Sequence, residues 1–319
     1  MGNILVTGAA GFIGSHVVNQ LLESNSKYEV IGLDNFFLGN SDNLKKARGY
    51  ERFHFVRGDA TSISTLSDVI STFEVQDIFA LATVPLPTSL QFPKWSTDQN
   101  MLLASTVLEL VRSNRVERLV QVSSSEVYGD GLDDSMTEQH PLKPYTPYAV
   151  SKAGADMLAL SYKRVFESRI LIVRPFNNYG PNQNSAEYSG FIPRLISAAL
   201  SGSKLEIFGN GQQTRDWVYV KDTARAIVSL SETAAAWKQD VVNIASNISC
   251  STLDVVRIFQ PFLPELNLTY LEPRNGDVLY HKGNNDLMKK ILGWVPGAFD
   301  NEKVDETVKY YASKFNLAY

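Results

Sequence analysis

Residues Asn3-Ile4-Leu5-Val6-Thr7 followed by Gly8-Ala9-Ala10-Gly11-Phe12-Ile13-Gly14 constrain the fold more than any other stretch of the chain. Asn3 to Thr7 reads as a short buried strand, and Val17, Val18, Leu21 and Leu22 set a helical apolar stripe just past the glycines. In such a unit Gly8 permits the tight turn, Gly11 lets the backbone approach a pyrophosphate, and Gly14 lets the helix pack on its strand. The helix N-terminus then faces the anion. The next strand pattern, Tyr28 to Leu33, ends in Asp34, where an acid would hydrogen-bond an adenosine ribose. A carboxylate there repels a 2′-phosphate, and no Arg or Lys follows closely to receive one, so NAD is favoured over NADP.

Strand and helix patterns keep alternating, without repeats or low-complexity segments. Phe53 to Val56, Asp77 to Leu81, Arg118 to Val122 and Ile170 to Val173 read as apolar strands, with helices near Ser64 to Ile70, Asp98 to Val111 and Pro147 to Phe166. The pattern predicts an α/β protein with a doubly wound parallel sheet. After about Arg174 the texture changes, with Pro175, Gly180, Pro181, Gly190 and Pro193 punctuating a loop-rich stretch. A cofactor-binding domain over 1–174 and a smaller substrate lobe over 175–319 are expected, with later segments able to pack back on the first domain.

A chain of 319 residues with 44% hydrophobic residues can bury a large core. The net charge of −4 carries no basic footprint, which argues against nucleic acid as a partner. The single cysteine, Cys250, excludes an intramolecular disulfide and reads as a small core residue. No apolar stretch reaches membrane-spanning length, so a cytoplasmic protein without membrane contact is expected. The sequons at Asn247 and Asn267 would need a secretory route that nothing else supports. No metal is expected.

Thr146-Pro147-Tyr148-Ala149-Val150-Ser151-Lys152 carries the chemistry. Thr146 suits a helix cap and Pro147 the first helical position, so Tyr148 and Lys152, four apart, share a face. An ammonium beside a phenol favours the phenolate, which can act as a general base towards a sugar hydroxyl as hydride departs.

These features, with Asp34-Asn35, Gly58-Asp59, Ser123-Ser124-Ser125-Glu126-Val127-Tyr128-Gly129, Phe176-Asn177-Asn178-Tyr179-Gly180-Pro181 and Arg215-Asp216-Trp217, resemble in order an extended short-chain dehydrogenase/reductase of the nucleotide-sugar epimerase/dehydratase family. The resemblance covers nearly the whole chain. It implies a Rossmann fold, tightly held NAD, hydride taken from C4 of a nucleotide-diphosphate sugar, chemistry on the 4-keto sugar and hydride return. It implies Ser124, Tyr148, Lys152 and Glu126 as catalytic residues. Around NAD it places Gly8, Gly11, Phe12, Ile13, Gly14, Asp34, Asn35, Asp59, Ala60, Leu81, Ala82, Thr83, Asn100 and Ser123, together with Tyr148 and Lys152. Towards the substrate it places Ser125, Asn177, Arg215 and Arg274; for Arg215 the alternative is a surface ion pair with Asp216. It also implies a homodimer through the helices at Asp98 to Val111 and Pro147 to Phe166, with Met157, Leu158 and Leu160 on the shared face.

Glu126 decides the reaction type. In similar 4,6-dehydratases this position holds the base that removes the C5 proton, whereas simple 4-epimerases need none. A glutamate here also occurs in nucleotide-uronate decarboxylases. Ser125-Glu126 replaces the Asp-Glu pair of glucose-type dehydratases, Ala80 stands where many relatives have histidine, and Thr83 to Ser89 is an unusual version of the sugar loop. Arg274 to Val278 resembles the epimerase segment. The expected activity is therefore a 4,6-dehydratase, with 4-epimerase, decarboxylase or a noncatalytic dinucleotide-binding regulator as alternatives and the base and sugar open.

Overall fold

The computed structural model describes residues 2–24, 28–185, 189–274 and 276–317. Six apolar strands of the first half, β1 (Asn3–Thr7), β2 (Val30–Asp34), β3 (Phe53–Arg57), β4 (Val75–Ala80), β5 (Arg118–Val122) and β6 (Ile170–Pro175), lie side by side. Beyond them come β7 (Asn177–Tyr179), β8 (Lys204–Phe208), β9 (Thr214–Tyr219), β10 (Val241–Ile244), β11 (Ser249–Ser251) and β12 (Asn267–Leu271). The central sheet is parallel throughout, in the order β10-β6-β5-β4-β1-β2-β3. It is the doubly wound Rossmann-type sheet, and β10 reaches it from the second half of the chain. Strand order reverses between β1 and β4, and the carboxyl ends of those two strands open the crevice where such sheets bind ligands.

Helices cover both faces, which is what near-continuous apolar strands require. On one side α1 (Phe12–Ser24) packs with later helices; α2 (Ile63–Thr72), α3 (Leu86–Gln91), α4 (Pro93–Arg112) and α5 (Pro147–Val165) lie in the first half, and α4 and α5 bury Val107, Leu108, Leu110 and Ala159 on the other side. In the second half follow α6 (Phe191–Ser201), α7 (Val220–Glu232), α8 (Thr252–Phe259), α9 (Asp286–Leu292) and α10 (Asn301–Phe315). From these, Ala224 and Ile227 of α7 and Met288 of α9 join the α1 side. A separate core of Tyr179, Ile192, Leu195, Trp217, Val255, Phe259 and Tyr311 holds the smaller body built from β7, β9, β11 and the last helices.

Helix α4 starts at Pro93, earlier than the apolar periodicity suggested, because its first turn is solvent-facing and is set by Pro93 at the first helical position and the Lys94–Asp98 pair. Strand β2 likewise starts at Val30 rather than Tyr28. No helix among the described residues is long and apolar enough to cross a membrane.

A fully buried ion pair crosses the sheet side of α5. Arg174 of β6 donates through Nε to Asp156 Oδ2 at 2.9 Å and through a terminal nitrogen to the Tyr128 hydroxyl at 2.9 Å. Tyr128 donates on to Asn243 Oδ1 of β10 at 2.8 Å, and Asn243 donates to the Met136 carbonyl at 3.0 Å. One connected set of hydrogen bonds therefore joins α5, β6, the turn after β5 and β10. Removing one member strands a buried charge, which costs about 3–5 kcal/mol. Arg174→Met should lower the unfolding free energy by about that much in urea titrations; a loss below about 1 kcal/mol would show that the pair carries no such weight.

Candidate active site

The crevice is a cavity of about 1040 Å³ that runs from the β2 end of the sheet to the start of α5. Its wall includes Gly8, Gly11, Phe12, Ile13, Gly14, Asp34, Asn35, Asp59, Ala60, Leu81, Ala82, Thr83, Ser123, Tyr148 and Lys152, so the expected cofactor residues converge, Asn100 excepted. Gly8 has φ +69°, and a Cβ there would meet the backbone of Leu81 and Ala82 at 2.8–2.9 Å. A Cβ on Gly14 would lie 2.0 Å from the Gly8 carbonyl oxygen. Only glycines let α1 start this close to β1, and they leave its first-turn N–H groups, which have no intrahelical acceptor, turned to the cavity. The donor set suits a diphosphate, and Asp34 suits a ribose. Asp34 is buried and accepts from the Ala10 and Phe36 amides at 2.9 and 2.8 Å, which fixes its carboxylate at the cavity end. The residues present thus fit NAD.

Asn100 supports the wall from behind. Its oxygen accepts from the Val84 amide at 2.7 Å and its nitrogen donates to the Val84 carbonyl at 3.0 Å and to Ser151 at 2.9 Å, so its hydrogen bonds are spent on holding the loop after β4 to α5.

At the other end, Thr146 caps α5 by accepting from the Ala149 amide at 3.2 Å, and Pro147 occupies the first turn. Tyr148 and Lys152 emerge half-buried on the same wall. Ser124 lies close enough to the Tyr148 phenol to act on its pKa and accepts from the Glu126 amide at 3.2 Å, capping the 3-10 turn Ser125–Tyr128. Lys152 donates to the Val122 carbonyl at 2.7 Å. The phenolate expected from the Tyr-Lys spacing is not what this ligand-free geometry favours: burial pushes the Tyr148 phenol up to about 12, with Ser124 opposing and Glu126 and Asp156 adding to the rise. Burial brings Lys152 down to about 8 against the pull of Asp156. Desolvation outweighs the spacing because the ammonium is turned to a backbone carbonyl.

Ser124 and Glu126 are half-buried and neither is on the wall of the large cavity. Burial raises the Glu126 carboxyl pKa, Arg215 opposes this, and Asp277 and Asp130 reinforce it. Arg215 does not pair with Asp216. It donates to the Val278 carbonyl at 2.6 Å and faces Asp277 at 3.6 Å. Asp216 is instead fully buried and accepts from the Ser246 hydroxyl and the amides of Ser246, Asn247 and Gly283 at 2.7–3.1 Å. It thereby ties β9 to the turn after β10 and to the 283 segment.

Arg274 lines a second cavity of about 420 Å³ together with Arg194, Lys204 and Glu206, and its guanidinium lies 3.6 Å from the Phe208 ring centroid. Arg194 was missed in the sequence because it follows no motif; its guanidinium is held below the usual arginine range by burial and by Arg274. Asn177 sits on β7 opposite Trp217, and Ser125 is buried at the start of the 3-10 turn, so neither lines these two cavities. Asn275, part of the segment expected to resemble epimerases, lies outside the described residues.

The fold and the large cavity define a dinucleotide-binding protein of the short-chain dehydrogenase/reductase type. A profile described as the NAD dependent epimerase/dehydratase family matches residues 4–245, and the chain belongs to that family. It is 33% identical over 314 residues to the low-salt glycan biosynthesis protein Agl12 of Haloferax volcanii, covering 97% of this chain and 98% of the relative. A UDP-glucose 4-epimerase of Mycolicibacterium smegmatis is 30% identical over 317 residues, covering 97% and 98%. The solved structure of DesIV, a dTDP-glucose 4,6-dehydratase from Streptomyces venezuelae with NAD bound, superposes with a TM-score of 0.90 at 30% identity, covering 99% of this chain and 98% of that one. Nucleotide-sugar dehydratases and epimerases are thus both among its relatives.

Two histidines brace the site in neutral form. His281 is fully buried, donates through Nε2 to the Ser125 carbonyl at 3.1 Å under Glu126, and is pushed from 6.5 to about 3 by burial, with Arg215 adding to the fall. His16 of α1 meets the Pro181 carbonyl at 3.0 Å and is lowered from 6.5 to about 4, again chiefly by burial. Both bind a proton more readily when unfolded, so their contribution is complete above pH 6.5 and is lost as pH falls towards 4. Asp216, raised to about 6, acts oppositely, favouring the fold as it protonates below that value. Each histidine on its own thus contributes a loss of stability on acidification. His281→Asn should flatten the pH dependence of the unfolding free energy between about pH 4 and 6 by about 1.4 kcal/mol per pH unit. An unchanged slope would mean that His281 titrates normally.

Proposed function

We propose that the protein is an NAD-dependent nucleotide-sugar 4,6-dehydratase. The observation that carries this reading is the placement of Glu126: a half-buried carboxyl on the turn capped by Ser124, within electrostatic reach of both Tyr148 and Arg215. Bound NAD would supply the hydride acceptor at sugar C4 and later the hydride donor at C6. Ser124 and Tyr148, neighbours in the structure, would hold the C4 hydroxyl, and Tyr148 would take its proton. Lys152, with a pKa near 8, is largely cationic at neutral pH and favours the phenolate when its ammonium turns towards the ring oxygen.

The C4 ketone acidifies C5–H. Glu126 then takes the C5 proton, the freed electron pair forms the C5–C6 double bond, and the C6–O bond breaks. The departing hydroxyl receives a proton from the same glutamate and leaves as water. A carboxyl whose pKa burial has raised suits both halves of that exchange, since it is basic enough to accept and acidic enough to return. The cationic cavity of Arg194, Lys204 and Arg274, with Arg215 nearer Glu126, fits the nucleoside diphosphate. The relatives named for UDP-glucose and dTDP-glucose suggest a nucleoside diphosphoglucose.

A 4-epimerase is the second reading, favoured by the Mycolicibacterium relative. Retention of Ser124, Tyr148 and Lys152 together argues for an enzyme over a noncatalytic regulator. Mass spectrometry of UDP-, GDP-, dTDP- and CDP-sugars after incubation tests the reading: loss of water supports it, while an isomer of unchanged mass or loss of carbon dioxide overturns it in favour of epimerase or decarboxylase. In Glu126→Gln, dehydration and solvent deuterium uptake at C5 should fall together by about 10²–10⁴-fold.

We also infer a homodimer through α4 and α5. These helices pack tightly, with Met101 sulfur 3.0 Å from where a Gly154 Cβ would stand. Leu102, Val150 and Met157 remain 45–49% exposed on their outer side. Leu158 and Leu160 are partly buried against the core that α5 shares with α2, α4 and the sheet, where they flank the fully buried Ala159. Light scattering should give a dimer mass across a concentration series, and Met157→Lys should weaken the dimer; a monomer throughout overturns the inference.

A further inference from the structure

The last turn of the last described helix reaches the cavity formed by the first strand. Lys314 belongs to the wall that also contains Phe12, Asp34, Asn40, Ser41, Asn182 and Gln183. A chain of contacts places it there. Asn182 donates to the Ser15 hydroxyl in the first turn of α1 at 3.0 Å, and His16 meets Pro181 beside it. Tyr311 donates to the Gly180 and Gln183 carbonyls at 3.2 and 2.9 Å, and Lys314 lies three residues further along α10. The 180–183 segment is thus clasped between the N-terminus of α1 and the C-terminus of α10.

Charge on this wall is sparse. Its acids are Asp34 and Asp59, and its cations are Lys152 and Lys314. Lys152 is committed to the Tyr148 end. Lys314 makes no hydrogen bond or ion pair among the described residues; its ammonium lies 5.6 and 6.0 Å from the Tyr310 and Tyr311 rings, with Asp42 the acid that acts on it. Lys314 is exposed at the rim of the cavity, and partial desolvation lowers its pKa against the pull of Asp42. A dinucleotide laid between Asp34 and Tyr148 carries its two negative charges in the middle, over the first turn of α1.

Resting on the reading of this cavity as the NAD site, we propose that Lys314 binds the diphosphate of the cofactor, so that α10 closes the cavity opposite the glycine turn. The bland alternative is a cation that merely complements the carboxyl end of its own helix and stacks on two tyrosines. The two differ in which ligand they affect. In the full-length chain depleted of bound nucleotide, Lys314→Met should weaken ADP binding about tenfold at low salt, with the difference shrinking as ionic strength rises. Adenosine, which lacks the diphosphate, should bind within about twofold of wild type, and Lys314→Arg should restore most of the ADP affinity. Protein purified as Lys314→Met should also release less NAD per protomer on denaturation after long dialysis. Unchanged ADP affinity, or equal weakening of ADP and adenosine, overturns the assignment and leaves the cofactor reading intact. A wild-type chain that binds neither NAD, ADP nor adenosine overturns both.

Discussion

The geometry of the site depends on the buried pair between Asp156 and Arg174. Asp156 lies one turn beyond Lys152 on α5, and Arg174 hands its remaining hydrogen bond to Tyr128, which ends the 3-10 turn carrying Glu126. Helix α5 and the turn that carries Glu126 are therefore fixed to one charge pair. Removing both ions from water is costly, and such a pair is tolerable only when its other hydrogen bonds are made. Here Tyr128, Asn243 and the Met136 carbonyl complete them. The gain is registry: α5 cannot slide along the sheet without breaking a bond that no water can replace.

Burial acts on Tyr148 and Lys152 in opposite directions, and both changes disfavour charge. The ligand-free pair is thus a protonated phenol beside a lysine that releases its proton more readily than a free one. Asp156 keeps that lysine from losing more. In this geometry the Lys152 ammonium is held by the Val122 carbonyl.

What could be read in the sequence was written in short-range rules. The glycine turn, Asp34 at the end of β2, and the Thr146-Pro147 start of α5 each depend on residues within a few positions of one another, and each is where the structure has it. What stayed hidden depends on distant partners. Asp216 looked like a neighbour for Arg215, yet its donors at 246, 247 and 283 come from other elements. Arg194 and Lys314 reach their cavities only through the packing of α6 and α10. The inward turn of Asn100 follows from the loop after β4, whose backbone groups it satisfies. The first turn of α4 faces solvent, so no apolar period marked it.

The position of β10 bears on how the chain is made. Ile170, Leu171, Ile172 and Val173 of β6 pair on one side with β5 and on the other with β10, which arrives only after β7, β8, β9 and α7 have been synthesised. During that interval on the ribosome, β6 is an unpaired, strongly apolar sheet edge, the kind of surface that invites pairing with another nascent chain. A chain cut short before Val241 would keep that six-residue edge permanently, whereas the finished protein presents the shorter four-residue β10 there.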